Sequence, residues 1–537
     1  MPTRALVSLY NKNGIGKVAE ALSRFDIQIL STGGTARKIT EAGVSVTEVA
    51  EVTGAAEYPE GLVKTLHPRI HFALLADRDN PEHAGRMAED GIEPIDFVLC
   101  NLYDFASVAD QDVDEDKLRS LIDIGGPTMI RAAAKNWKFV TAIVDPADYP
   151  KLIAELTANG GKTTPDFRRQ MAAKAFSHTA DYDALIDETL SRRFLAAPSR
   201  RLHFMSGKTL RYGENPHQRA TLFLDNTYTG PNLARAEQLW GKELSYNNLV
   251  DGSAALEAIL PYEESAVAVV KHTNPCGLAT GETPQQALNY AWEGDIVSAF
   301  GSVIACNRTV TVGFMDFLSD KFVEMVIAPD FASDVLPWIE SQKKKNLRLL
   351  AVGPLNLPET RQNWRFLPGM LLEQDEDDMV FDRWETMTNK TFPDNKEGLA
   401  KFALTAVKFV KSNEIVIAQE YAPKLYRVLA IGAGQPNRVD AIRKLAVPKA
   451  LENLRRDFLG QESTTQSVEE YISSRLAECV LASGAFFPFA DSIEVIAEVG
   501  IGYVVQPGGS MRDDEVVAAA EEKGIAMIFS GFRHFRH

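Results

Sequence analysis

One pattern runs through the first 145 residues: a short apolar run, a polar or glycine-bearing turn, then a stretch with helical spacing. "ALVSLY" (5–10) leads into "GIGKVAEALSRF", and "IQILST" (27–32) leads into "GGTARKITEAG". "IDFVLCNLY" (95–103) and "FVTAIVD" (139–145) flank "GGPTMIRAAAKN", where Gly-Gly-Pro opens an alanine-rich helix. Strands that alternate with helices pair side by side through crossovers, so the pattern predicts an α/β layer with a largely parallel sheet. Residues 150–198 read as amphipathic helix, and "LAAPSRRLHFMSGKTLRYGENPHQR" then breaks the period. A boundary is expected near 198–205, giving domains 1–198 and 199–537. At 537 residues the chain is too long for one ordinary core. The second part is again mixed α/β, with strands expected at 266–270, 302–307, "YRVLAIGAG" and "GIGYVVQPGGS". No internal repeat is visible, and "WETMTNKTFPDNKEG" (384–398) reads as a long surface loop.

Charge narrows the ligand. The net charge of −16 argues against a general binder of nucleic acid or anionic membrane, since the long-range field repels polyanions. A phosphorylated small molecule remains compatible, because it responds to local N–H groups and a few cations. "EQDEDD" (373–378) and "KKK" (343–345) read as solvated surface. Cys100, Cys276, Cys306 and Cys479 form no CxxC pair, which speaks against a metal site or a disulfide framework. With no secretory h-region after Met1 and no long apolar run, a cytosolic chain with reduced thiols is expected.

Four clusters in the first domain fall at successive loop positions. "ILSTGGTARK" (29–38) has the strand–Gly-Gly–helix form that offers backbone N–H groups to an anion, though an ordinary glycine turn looks the same. "GLVKTLHPRIH" (61–71) gathers Lys64, Thr65, His67 and Arg69. "LCNLYDF" places Asn101 and Tyr103 at a strand exit, where open α/β sheets bind ligands. "IDIGGPTMIRAAAKN" places Asp123 before a helix and Lys135 near its end, about three turns on. Those two cannot touch across the helix, but both could flank one pocket edge. Together the clusters favour a pocket for a phosphorylated ligand.

In the second part, "SAVAVVKHTNPCG" (265–277) ends a buried run on Lys271 and His272, followed by an expected Asn-Pro-Cys-Gly turn. Neighbouring residues of a regular strand point to opposite faces, so the pair can serve one site only if the strand ends at or before Lys271. The Asn274-Pro275 pair is the expected cause of that ending. "LRYGENPHQ", "KELSYNN", "DIVSAFGS", "VKFVKSNEIVIA", "GAGQPNRVD" and "GAFFPFADS" add polar loops beside buried runs. Phe486 and Phe487 suit core packing or a flat aromatic ligand. The Pro-Cys of "NPCG" is not a zinc-deaminase signature: position 279 is alanine and no HxE occurs.

In this order, "STGGTA", "VKTLHP", "LRYGENPHQ", "ELSYNN", "KH-NPCG", "AFFPF-D", "QPGGS-RD" and "RHFRH" resemble the bifunctional AICAR transformylase/IMP cyclohydrolase family along nearly the whole chain. The resemblance implies an N-terminal methylglyoxal-synthase-like domain that closes formyl-AICAR to IMP. It implies a C-terminal transformylase of two tandem cytidine-deaminase-like subdomains without zinc, in a homodimer. The implied substrates are AICAR, formyl-AICAR and 10-formyltetrahydrofolate as formyl donor, with no metal required and no nucleic-acid or membrane partner. His272 matches the family's base and Lys271 its oxyanion partner. Lys64, Tyr103, Asp123 and Lys135 match the cyclohydrolase's proton-transfer and orienting groups. Ser31, Thr32, Gly33, Gly34 and Thr35 match its phosphate cradle, with Thr65, Asn101 and Ile124 beside it. Arg211, Tyr212, Gly301, Glu324, Asn413 and Arg438 match the AICAR positions, and Phe486, Asp491, Ser510 and Arg533 the folate side. There are two departures from the family pattern. Leu62 stands where many members have arginine, which leaves Lys12 as the expected replacement cation. Gly484 stands where members usually have an aspartate that helps hold a monovalent cation in some relatives, so that ion is not expected here. Two rival readings are a regulatory protein that senses IMP and has lost catalysis, and a methylglyoxal-synthase-like lyase fused to an unrelated module. The intact Lys271-His272 pair opposes the first; "STGGTA", "VKTLHP" and Lys135 oppose the second.

Overall fold

The computed structural model describes residues 3–537 except 56, 57, 59–61, 226, 360 and 462–464, so Gly61 of the lysine cluster lies outside the described residues. The chain divides into two compact units, Met1–His203 and Phe204–His537.

The first unit is built on five parallel strands, β1 (Arg4–Leu9), β2 (Gln28–Ser31), β3 (Thr47–Glu48), β4 (Phe97–Asn101) and β5 (Thr141–Ile143), in the order β3-β2-β1-β4-β5. The central strand is buried on both faces. Ala5, Val7 and Leu9 pack into one core with Ile29 and Leu99, while Leu6 packs into the other with Leu30, Val98 and Cys100. That two-sided burial is why the strand reads as a continuous apolar run rather than an alternating one. Helices Ile15–Arg24, Gly33–Glu41, Gly125–Lys135 and Pro165–Leu190 are among the elements that cover the faces. The first three each follow a glycine or begin on one.

The second unit carries β6 (Phe204–Thr209) paired with β7 (Thr221–Asp225), then β8 (Glu237–Trp240), β9 (Ser265–Lys271), β10 (Asn274–Gly281), β11 (Ser302–Cys306), β12 (Val323–Ala328) and β13 (Arg348–Ala351). The hairpin of β14 (Gln362–Leu367) and β15 (Met370–Asp375) follows. After it come β16 (Glu385–Thr386), β17 (Ile415–Ala422), β18 (Leu425–Gly432), β19 (Val480–Ser483), β20 (Tyr503–Gln506) and β21 (Ala526–Phe529). Twelve of these form one sheet in the order β16-β21-β20-β19-β17-β18-β10-β9-β11-β12-β13-β8.

That order is a topological repeat. Each half has a hairpin (β9-β10 or β17-β18), three parallel strands (β11-β12-β13 or β19-β20-β21) and an antiparallel edge strand (β8 or β16). The halves join where β10 pairs with β18 at Ala279 and Arg427. A sequence scan finds no repeat because equivalent strands share only buried apolar character, which many sequences satisfy. The stretch 384–398 is not a plain loop. It contributes β16, which pairs with β21, and the start of helix Asp394–Val407. In the acidic run, Asp377 is not simply solvated: it bonds His534, whose side chain is fully buried.

Candidate active sites

In the first unit the carboxyl ends of β1, β2 and β4 are tied together by side chains. The Thr35 hydroxyl donates to the Leu9 carbonyl and accepts the Leu9 N–H, both at 3.1 Å. The Asn101 Oδ1 accepts the N–H groups of Tyr10 and Asn11 at 2.7 and 2.9 Å, and its amide returns a bond to the Asn11 carbonyl at 2.8 Å. Ser31 is fully buried and donates to the Val7 carbonyl at 2.7 Å. Ser31, Thr35 and Asn101 therefore shape the loops.

Helix Gly33–Glu41 begins at this edge, with Thr32 at its N-cap in extended conformation and no side chain capping it. Its first N–H groups are left for an anion. Two lysines flank them. The Lys64 ammonium lies 3.4 Å from where a Gly33 Cβ would stand, and the Lys12 side chain 3.7 Å from the corresponding point on Gly34. Lys12 also donates to the Tyr10 carbonyl at 3.1 Å. Leu62 is 63 % exposed and supplies no charge.

The N-terminus of helix Gly125–Lys135 completes this edge. Its N-cap Ile124 is exposed and gives no side-chain cap. The Thr65 hydroxyl lies 3.3 Å from a Cβ position on Gly125. Asp123 accepts the Gly126 N–H at 2.7 Å, and its own N–H donates to the Tyr182 hydroxyl at 2.9 Å. Burial pushes the Asp123 carboxyl above its ordinary range, against the pull of backbone N–H groups of Gly126 and Tyr103. Tyr103 is half exposed, with its ring 5.8 Å from that of Tyr10.

Lys135 does not join this group. It ends the same helix, about 15 Å along the axis from Gly125 by the rise per residue. There it borders a separate cavity of about 470 Å³ with Trp137, Lys138, Pro165, Arg168 and Arg169. Asp123 and Lys135 lie at opposite ends of this helix.

In the second unit β9 ends at Lys271, as the shared-site condition requires. The cause differs from the expected one. His272 and Thr273 both have positive φ, 53° and 62°, and form a two-residue hairpin turn between Lys271 and its partner Asn274. Asn-Pro-Cys-Gly is not the turn but the start of β10, with Pro275 paired to Val270. Asp251 clamps the turn, accepting the N–H groups of His272 at 3.2 Å and Thr273 at 2.9 Å. The Lys271 ammonium donates to the Phe300 carbonyl at 2.7 Å, next to Gly301. Both Lys271 and His272 border a cavity of about 420 Å³ that also touches Cys276, Asp295, Ser298 and Lys449.

The remaining candidates lie outside that cavity, along the same edge of the sheet. Arg211 stacks over the Tyr212 ring at 5.5 Å. Asn247 bonds the Glu214 carbonyl at 3.2 Å, and Asn248 bonds Glu324 at 2.8 Å, so helix Tyr246–Ile259 links both groups to Asp251. Gly301 has φ +75° and donates its N–H to the Phe322 carbonyl at 2.8 Å. Asn274 accepts the Lys411 N–H at 3.1 Å, which brings in Asn413, itself bonded to the Gln435 carbonyl at 2.9 Å. Arg438 is bonded to Ser483 at 2.9 Å and lies over the Phe535 ring at 6.0 Å, with Arg533 over that same ring at 5.0 Å. Phe486 is partly buried, Phe487 fully; Asp491 begins helix Asp491–Glu498, and Ser510 caps the turn before Asp513 through its carbonyl. Phe486 and Asp491 follow the carboxyl end of β19, Ser510 that of β20 and Arg533 that of β21.

Asp251 was not singled out from sequence. Its only signal is its place one turn into the helix that "SYNN" opens, and a single chain does not reveal what that turn faces.

Two α/β units, each with a loop-built edge where cations, amides and titratable side chains gather, are the frame of an enzyme. Comparison with known proteins agrees. A model of the methylglyoxal-synthase-like domain matches residues 14–128, and a model of the AICARFT/IMPCHase bienzyme matches residues 133–449. Proteins called bifunctional purine biosynthesis protein PurH are similar over their full lengths. That of Persephonella marina is 43% identical over 547 residues, with 100% of both chains covered. Those of Acidithiobacillus ferrooxidans and Halalkalibacterium halodurans are also 43% identical, covering 100% of this chain and 99% and 100% of theirs. The chain belongs to the AICARFT/IMPCHase bienzyme family.

Proposed function

We propose that the two units divide the family's two reactions between them. This chain formylates AICAR from 10-formyltetrahydrofolate and closes the product to IMP with loss of water. Transfer is assigned to the second unit and closure to the first.

In transfer, the AICAR amine attacks the formyl carbon as the bond from that carbon to the folate nitrogen breaks. Conjugation with the ring and carboxamide makes the amine a poor nucleophile, so removal of its proton by a neutral imidazole is worth about 10²–10⁴-fold. His272 is assigned that role and Lys271 the oxyanion, a contribution of roughly 3–4 kcal/mol where single donors have been removed elsewhere. Supporting this reading, the turn releases His272 from the alternation of β9 and both side chains border one cavity. Arg211, Tyr212, Gly301, Glu324, Asn413 and Arg438 are assigned to AICAR, and Phe486, Asp491, Ser510 and Arg533 to folate.

In closure, the carboxamide nitrogen attacks the formyl carbon within one molecule, so positioning supplies up to about 7–11 kcal/mol. The N-terminus of helix Gly33–Glu41 with Lys12 and Lys64 is assigned the phosphate. Asp123, held above its ordinary range, exchanges the proton lost from nitrogen and gained by the leaving oxygen. Tyr103, Thr65 and Ile124 orient the ring, and Asn101, assigned to the substrate side, acts by holding the Tyr10–Asn11 loop. Lys135 has no step in this scheme, and neither step is assigned a metal. We read the chain as a cytoplasmic homodimer. Its four free cysteines fit the compartment, and exposed Ile296, Val297, Phe300 and Phe322 beside Lys271 offer an apolar face for a second copy.

The single observation that carries the reading is the Lys271-His272 turn at the sheet edge where the other candidates gather. Purified protein given AICAR and 10-formyltetrahydrofolate is expected to yield IMP, followed by ultraviolet absorbance. Accumulation of formyl-AICAR alone would remove closure from the first unit, and no formylation would remove the assignment to the second.

A further inference from the structure

Strand β17 begins at Ile415, paired with Ser483 at the end of antiparallel β19, so the residues just outside the pair, Glu414 and Gly484, face each other. The Glu414 side chain is fully buried, and it crosses to the place where a side chain at 484 would begin. A Cβ on Gly484 would overlap the Glu414 carboxylate and stand 2.7 Å from its Cγ, well inside van der Waals contact. Gly484 is not in the left-handed region, so its lack of a side chain answers space rather than backbone conformation.

One Glu414 oxygen meets the Arg438 guanidinium at 3.3 Å; the other has no hydrogen-bond partner among the described residues. Arg438 is 9 % exposed and donates through its Nε to Ser483 at 2.9 Å, and Ser483 donates onward to the Ala485 carbonyl. A buried carboxylate is tolerated only when its charge is matched, and among the described residues Arg438 is the cation paired with it. The two fix each other.

We propose that Glu414 is a positioning residue for Arg438, delivering from β17 a carboxylate into the space that the missing side chain of Gly484 leaves on β19. The long side chain reaches across from one strand, and glycine on the neighbouring strand makes room for it. The inference rests on the reading of Arg438 as an AICAR contact, and its tests separate the two. Glu414 itself touches no substrate.

Three variants are measured for transformylase kcat and AICAR KM, with cyclohydrolase rate and melting temperature as controls. Arg438→Ala tests the underlying reading and is expected to raise AICAR KM; an unchanged KM overturns that reading. Glu414→Gln keeps the volume but removes the charge, and is expected to raise AICAR KM about tenfold with little change in kcat or in cyclohydrolase activity. A KM unchanged in Glu414→Gln while Arg438→Ala raises it overturns the positioning role alone. The double variant Glu414→Ala/Gly484→Asp places a carboxylate in the same space from the other strand and is expected to recover AICAR KM to within about threefold of the parent. Failure to recover, with the melting temperature kept, overturns the claim that the carboxylate acts through its place beside Arg438.

Discussion

Lys12 gives the sharpest test of the phosphate assignment in the first unit. Its side chain comes within 3.7 Å of the Gly34 Cβ position, and the Lys64 ammonium within 3.4 Å of that of Gly33. No side chain caps the helix at Thr32, so its first N–H groups stay open beside the two lysines. Replacing Lys12 by alanine removes one of two ammonium groups from a dianionic ligand and leaves the helix terminus intact. A hydrogen bond to a charged group contributes about 1.5–3 kcal/mol, which corresponds to about ten- to hundredfold in affinity. Lys12 is only partly buried, so the lower end of that range applies. Steady-state cyclisation of formyl-AICAR is expected to show KM raised about tenfold in Lys12→Ala, with kcat within about twofold and transformylase activity unchanged. Adding Leu62→Arg, which places a cation on an exposed side chain two residues before Lys64, is expected to recover part of the loss. An unchanged KM in Lys12→Ala refutes the two-lysine cradle.

Asp251→Ala removes the acceptor for two N–H groups of the His272–Thr273 turn, a loss of about 2 kcal/mol from that turn. Transformylase kcat is expected to fall at least about tenfold while cyclisation of supplied formyl-AICAR keeps its rate; unchanged transfer would show that the turn holds itself. Asp123→Asn tests the raised carboxyl through stability. The folded state favours the protonated acid, so its stabilising contribution is full below the ordinary carboxylate pKa and is lost as pH rises through the raised value. The melting temperature of Asp123→Asn relative to the parent is therefore expected to climb as pH rises above the ordinary carboxylate pKa of about 4. A constant difference would mean that burial does not shift this group.

Much of the first unit is written locally. Each of its main strands is a short apolar run, and glycines mark where the chain turns back toward the sheet, so the parallel layer and its loop clusters are readable. Lys135 shows the limit of that reading: a helix places residues along a rod, and ten positions separate its two ends. In the second unit the strand ending at Lys271 was legible, but its cause was not. Asn274-Pro275 has the composition of a turn, yet Pro275 is accommodated in β10 at the ladder's irregularity, and the positive φ falls on His272 and Thr273, which composition does not flag. Glu414 and Gly484 are 70 positions apart and meet only because β17 pairs with β19. Contacts of that kind depend on strand order, which apolar runs of similar character leave open.

The central claim is that formyl transfer depends on His272 and is chemically separate from ring closure. His272→Ala protein, supplied first with AICAR and 10-formyltetrahydrofolate and then with formyl-AICAR, tests it in one preparation. The expected result is formylation reduced by at least about a hundredfold, with closure of formyl-AICAR to IMP at the parent rate. Full formylation by His272→Ala would contradict the account.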